Sequence, residues 1–210
     1  MNFDELVKKT SNLPCFTTRF LAAGENLAQV RLQLNRWVKD GRVIRLHRGL
    51  YCLSEPYCKI NTEPFCIANS LKSASYVSLQ SALAWYGLIP EYVPVVTNVI
   101  TGRPQTVQTP VGRFVFRHIR KNLFWGYHQV TLSSGQTAFV ARPEKALLDL
   151  IYLTPKGDTQ AFLKELRLQN IEKMDAAMLR RFAEQSQSPK LRRAVDNLEN
   201  ILKAQVGVDL

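Results

Sequence analysis

The sequence predicts an α+β fold: an N-terminal winged helix-turn-helix, then a mixed α/β domain with antiparallel strands, then a helical C-terminal tail. Three observations carry this reading. Apolar residues at Leu27, Val30, Leu34, Trp37 and Val38 recur at helical spacing and stop before Gly41. A basic, β-rich stretch, RVIRLHRGLYCL at 42–53, follows directly. Beyond the polar, proline-containing segment at 54–64, short alternating runs give way to helical patterns. The expected organisation is a first domain at 1–56, a linker at 57–64, a mixed domain at 65–155 and a helical extension at 156–210.

The elements follow in order. Residues 3–9 predict a short amphipathic helix with Phe3, Leu6 and Val7 inward, closed by Pro14. Thr17 and Thr18 are candidate caps for a second helix through Ala23, and Gly24 allows a sharp turn. Asn26 is placed to cap the helix from Leu27. On its wheel, Gln29, Leu32, Gln33, Arg36 and Lys39 face away from the apolar stripe. Val43 to Leu53 suits two short strands around His47-Arg48-Gly49, where glycine accepts positive φ. In the second domain, helices are expected over 65–72 and 78–86 and strands over 93–102, 112–119 and twice within 130–141, in antiparallel hairpins. Pro143 opens a helix, PEKALLDLIYL. In the tail, Asp158 and Asp175 are expected caps, and Ser188-Pro189 starts a helix through Leu202.

At 210 residues, 46% hydrophobic and 21% charged, the chain has the composition of a globular protein, which excludes a mainly disordered one. No run approaches the ~18 apolar residues of a membrane span. The start, MNFDELVKKT, lacks an apolar signal core, so a cytoplasmic protein is expected. Cys15, Cys52, Cys58 and Cys66 form no C-x-x-C pair and read as reduced packing thiols rather than metal ligands.

Charge is more informative. The formal net charge is +11. Residues 1–60 carry ten basic and five acidic side chains, residues 61–154 eight and four, and residues 155–210 ten and eight. The excess is densest where the helix and basic hairpin lie, which points to a polyanionic partner. A helix fits the DNA major groove and its outer face reaches base edges. Gln29 and Gln33 suit adenine, and Arg36 suits guanine or a phosphate. Arg42, Arg45, His47 and Arg48 on the hairpin suit phosphate. With Thr18 and Lys39 these nine residues are the candidate DNA contacts. Arg113, Arg117, Arg120 and Lys121 form either a second nucleic-acid patch or a solvated strand edge.

No catalytic constellation is expected. Glu144, Lys145 and Asp149 are the residues that invite one, since acids and a lysine can hold a metal and activate water. Glu144 and Asp149 lie about 500° apart around a helix axis and do not converge. His118 and His128 are lone histidines, and no glycine-rich phosphate loop is present. No cofactor or metal is expected.

Three segments carry a resemblance: LNRWVKDGRVIRLHRGLYCL at 34–53, VSLQSALAWYGLIP at 77–90 and AFVARPEKALLDLIYL at 138–153. In this order they resemble the AbiEi-type antitoxins, bacterial transcriptional regulators of type IV toxin–antitoxin and phage-defence systems. The resemblance spans roughly residues 15–155. It implies an N-terminal domain that binds and represses an operator upstream of its own operon. It implies a remaining part that counters a nucleotidyltransferase-like toxin without a stable complex. Binding to repeats as a homodimer or cooperatively is compatible with it. The residues alone leave two other readings open: a nucleic-acid-processing enzyme delivered by a winged helix, and a winged-helix protein-interaction module.

Overall fold

The computed structural model describes residues 1–206, with side chains through Ile201. Helix α1 (Phe3–Thr10) begins at Asn2. The Asn2 side chain accepts the Glu5 N–H while the Glu5 carboxylate accepts the Asn2 N–H, a reciprocal cap. A two-residue strand, β1 (Phe16–Thr17), leads into α2 (Thr18–Leu21). Thr17 caps α2, its hydroxyl accepting the Phe20 N–H at 3.1 Å. This helix ends at Leu21, two residues short of the expected Ala23. Helix α3 (Leu27–Lys39) is capped by Asn26, which accepts from the Ala28 and Gln29 N–H groups. Its buried stripe is Val30, Leu34 and Trp37.

Strands β2 (Val43–His47) and β3 (Leu50–Leu53) form the expected hairpin. β1 adds to it, giving a three-stranded antiparallel sheet in the order β1-β3-β2. The two-residue β1 has no alternation to betray it in the sequence. The faces of this sheet do different work. Phe16, Val43, Tyr51 and Leu53 join Leu6, Leu21, Val30, Leu34 and Trp37 in the N-terminal core. Leu46, Leu50 and Cys52 belong instead to the core of the second domain. One thin sheet is thus buried between two cores, and its hairpin is held from both sides.

Residues 57–64 run along this seam and are bonded to it. The Lys59 N–H donates to the Ser11 carbonyl at 3.0 Å, and the Thr62 hydroxyl to the Pro14 carbonyl at 3.0 Å. Three thiols sit beside it. Cys15 precedes β1, so the Phe16–Tyr51 register places it opposite Cys52, and Cys66 lies on α4 (Pro64–Leu71). All four cysteines are free. Burial pushes Cys52 up to about 12 and Cys66 up to about 11, with neighbouring thiols adding to both shifts. Since the thiolate is the nucleophile, iodoacetamide at pH 8 is expected to modify Cys52 and Cys66 in the folded protein at least ~100-fold more slowly than a free cysteine. The rate should rise about tenfold per pH unit below those values, and in urea all four thiols should react alike. Mass-spectrometric labelling kinetics check this; fast modification of Cys52 at pH 8 would show that the seam opens.

The second domain is built on a six-stranded sheet, order β6-β7-β5-β4-β9-β8. Its strands are β4 (Ser75–Val77), β5 (Val95–Ile100), β6 (Gln105–Thr109), β7 (Gly112–His118), β8 (Tyr127–Thr131) and β9 (Thr137–Ala141). The expectation of antiparallel hairpins needs correction. β6–β7 and β8–β9 are such hairpins, but β5 runs parallel to β7 and β4 parallel to β9. After β5 the chain passes to the edge, forms β6, and returns as β7 into the gap. β4 and β6 were not foreseen: β4 has three residues, and β6, QTVQT, has one apolar side chain. Helices α4, α5 (Leu79–Trp85) and α6 (Pro143–Leu153) pack on this sheet.

The tail packs as α7 (Gln160–Glu165), α8 (Ala176–Gln185) and α9 (Pro189–Val206) against one another and α6. Asp175 caps α8 as expected, accepting the Met178 N–H at 3.0 Å. Asp158 does not cap α7; Thr159 does, and Asp158 pairs with Arg193 at 2.8 Å. α9 continues past Leu202, whose side chain lies outside the described residues. Among the described residues, no helix is long and apolar enough to cross a membrane.

Candidate nucleic-acid interface

Where α3 passes the β2–β3 hairpin a cleft of about 600 Å³ opens. Arg19 of α2, Arg31 and Asn35 of α3, and Arg45 and Arg48 of the hairpin line it, and no acidic side chain does. None of these four arginines has an ion-pair partner among the described residues. Four like charges facing one space repel one another, and a polyanion seated there relieves that repulsion.

The hairpin's geometry sorts its charges. The register places Arg45 opposite Tyr51 and His47 opposite Leu50, with a bulge between. Tyr51 faces α3 and the N-terminal core, whereas Leu50 faces the second domain. The bulge therefore leaves Arg45 on the cleft side and turns His47 to the opposite face. Gly49 closes the turn at φ +80°, and its carbonyl accepts the Thr18 N–H at 3.0 Å, tying the tip to the start of α2. An L side chain there is strained by roughly 1–2 kcal/mol. Gly49→Ala is expected to lower stability by about that amount, read by thermal melting; an unchanged melt would mean the tip relaxes freely.

The nine residues expected from sequence fall into groups. Thr18, Arg45 and Arg48 line the cleft. Gln29, Arg36 and Lys39 are exposed on α3 outside it, and Arg36 and Lys39 lie in the last turn, where cations complement the helix dipole. Gln33 is half-buried, and its Oε1 is sealed from solvent with no partner among the described residues. Arg42 lies over the Phe3 ring at 5.1 Å, away from the cleft. His47 is exposed on the far face.

Arg19, Arg31 and Asn35 were missed. Of the five residues read as the apolar stripe, Val38 does pack against the N-terminal core, whereas Leu27 is exposed and lines the cleft. Opposite the buried Val30–Leu34–Trp37 stripe, the outward face centres on Ala28, Leu32 and Lys39, with Asn35 and Arg36 to either side and Arg31 at its edge. Arg19 sits on a four-residue helix and carries no periodic signal.

The second basic group is spread along β7 and the turn after it. Arg113 lines a separate groove of about 730 Å³ with Phe65, Trp85 and Tyr92. Arg120 and Lys121 lie past the other end of β7, ~23 Å further along at ~3.3 Å per residue. The guanidinium of Arg117 donates to the Leu153 carbonyl at 3.2 Å.

Glu144 and Asp149 do not converge, as expected, but Lys145 and Asp149 do. They form a buried ion pair one helical turn apart. The Asp149 carboxylate also accepts from the Tyr76 hydroxyl at 3.0 Å and the Ser78 hydroxyl at 2.8 Å. The Lys145 ammonium donates to the Tyr76 oxygen at 3.0 Å and lies 5.1 Å from the centre of the Trp125 ring. Burial and the adjacent carboxylate push the Tyr76 hydroxyl far up, so it stays a donor. Glu144, also buried, accepts the Asp175 N–H at 2.8 Å and anchors the start of α8. The cavity beside the cluster measures about 10 Å³, no more than one water needs. Through these bonds the cluster fastens α6 to the sheet.

Residues 5–54 match the family model of the AbiEi antitoxin transcriptional regulators. The AbiEi match runs from within α1 to just past β3, and so takes in most of the N-terminal core and the whole arginine cleft. The segments at 77–90 and 138–153 lie outside it and bond to each other in the fold. Ser78 donates to Asp149, and the Tyr86 hydroxyl to the Ala141 carbonyl at 3.1 Å. A search of the curated proteins found no match to the chain.

Proposed function

We propose that this protein is a DNA-binding transcriptional autorepressor that also serves as the antitoxin of a type IV toxin–antitoxin pair in the cytoplasm. The observation that carries the DNA half is the cleft between α3 and the hairpin, with four arginines and no acid. In this reading α2 and α3 form the helix-turn-helix of a winged helix, α3 enters the major groove, and β2–β3 is the wing. Arg45 and Arg48 hold backbone phosphate, with Arg19 and Arg31 beside them. Thr18, Gln29, Arg36 and Lys39 remain candidate contacts on the surrounding surface. Gln33, Arg42 and His47 are less favoured, for the reasons of placement given above.

The antitoxin half rests on the AbiEi match and on the two further AbiEi-like segments. Its partner is a nucleotidyltransferase-like toxin opposed without a stable complex. On DNA repeats the chain binds as a homodimer or cooperatively.

The test couples the two halves. A reporter driven by the DNA upstream of the gene should be repressed by the full chain. Growth arrest by the neighbouring gene's product should be relieved by the same chain. Repression without relief would leave a simple regulator, and relief without repression would remove the autorepressor.

A further inference from the structure

We propose that Leu32 reads the C5-methyl group of thymine, which makes it a specificity-determining residue of the recognition helix. The inference rests on the DNA-binding reading and deepens it. Three exposed large hydrophobics, Phe20 at 51%, Leu27 at 37% and Leu32 at 54% exposure, fall within residues 20–32. Of these, Leu32 points most directly away from the core. At about 100° per residue it lies opposite the Val30–Leu34–Trp37 stripe. Its neighbour one turn earlier on the same face is Ala28, too small to screen it. A leucine offers no donor or acceptor. The one apolar feature that an unmodified base pair presents in the major groove is the thymine methyl. Asn35, three residues on and on the same face, is the side-chain type that pairs with adenine through N6 and N7. Together they suit a step containing adenine and thymine.

The other occupant for an outward leucine is a second copy of this chain. Charge disfavours it. The face around Leu32 carries Arg31, Arg36 and Lys39, and α3 contains no acid. Apposing two such faces brings cations together, whereas DNA brings phosphates to them.

The experiment selects preferred duplexes from a random-sequence library with the full chain. Each thymine of the best duplex is then replaced singly by deoxyuridine, which deletes only the methyl. The wild-type protein should bind about fourfold more weakly at one such position, the effect of losing one buried methyl. Leu32→Ala should bind the thymine duplex about as weakly as the wild type binds the deoxyuridine one, and should no longer distinguish the two. Its melting temperature should match wild type, since the side chain is exposed. Equal wild-type affinity for every deoxyuridine duplex would overturn the inference. So would full methyl discrimination by Leu32→Ala. If Leu32→Ala instead abolishes self-association on sedimentation and leaves methyl discrimination intact, the second copy is the occupant and the proposal is wrong. Selection that enriches no sequence defeats the DNA reading itself, a separate result from enrichment without methyl discrimination.

Discussion

Asp149→Ala is expected to lower unfolding free energy by about 3–5 kcal/mol, because it strands the Lys145 ammonium in the core. The pair is 3% and 2% exposed, so water cannot replace the lost carboxylate. What remains near the ammonium is the Tyr76 oxygen at 3.0 Å and the faces of Trp125 and Tyr76. Those contacts are worth far less than a buried counter-ion. The hydroxyls of Ser78 and Tyr76 lose their common acceptor as well, and buried unpaired donors cost about 1–3 kcal/mol each. A double variant, Lys145→Met with Asp149→Leu, removes both charges together. Apolar replacement of a whole buried pair is often nearly neutral. The double variant should therefore be more stable than Asp149→Ala alone, though below wild type because the two hydroxyls stay unpaired. Urea unfolding followed by tryptophan fluorescence measures all three. Asp149→Ala within 1 kcal/mol of wild type, the scale of an exposed pair, would mean that this pair is solvated in solution.

The second large effect concerns the cleft. Replacing Arg19, Arg31, Arg45 and Arg48 together by alanine should reduce the slope of log affinity against log salt by about three to four. Each phosphate neutralised on duplex DNA contributes about 0.9. The loss should fall equally on specific and random DNA, because phosphate contacts carry no sequence information. The difference from wild type should shrink as salt rises. Arg42→Ala is the control. Its guanidinium lies over Phe3, so it should leave the salt slope unchanged and lower stability by about 0.5–1 kcal/mol. A slope that falls for Arg42→Ala and not for the cleft variant would move the interface to the other side of α3.

Much of the N-terminal domain is legible because its signals are local. Asn26 before an apolar stripe, Gly41 after it and Gly49 in a basic hairpin each act within a few residues. The face of α3 was legible only in part. Leu27, read as core, is exposed and lines the cleft, which puts the α3 side of the site along Leu27, Arg31 and Asn35 rather than along the Gln29–Gln33 edge. The bulge in β2 is a tertiary adjustment: it places Leu46 in the second core and swings His47 away, and nothing in RVIRLHRGLYCL announces it.

In the second domain, alternation reveals strands such as Gly112–His118 but not their partners. The parallel joins depend on β4 lying between β5 and β9 and on β6 taking the edge before β7 returns, and neither β4 nor β6 is apolar and long enough to stand out. The Lys145–Asp149 pairing was within reach of the i,i+4 rule. Its hydroxyl partners, Tyr76 and Ser78, lie about seventy residues away and appear only when α6 packs on the sheet.

If the α3–hairpin cleft binds the DNA upstream of this protein's own gene, removing its arginines removes that binding. The decisive experiment is a fluorescence-anisotropy titration of that DNA and of a scrambled duplex at two salt concentrations, with wild type and the four-arginine variant. Wild type should bind the upstream DNA tightly, in a salt-sensitive and sequence-preferring way, and the variant should lose most of that affinity while still melting cooperatively. Equal affinity of wild type for upstream and scrambled DNA, or undiminished binding by the variant, would contradict this role for the cleft.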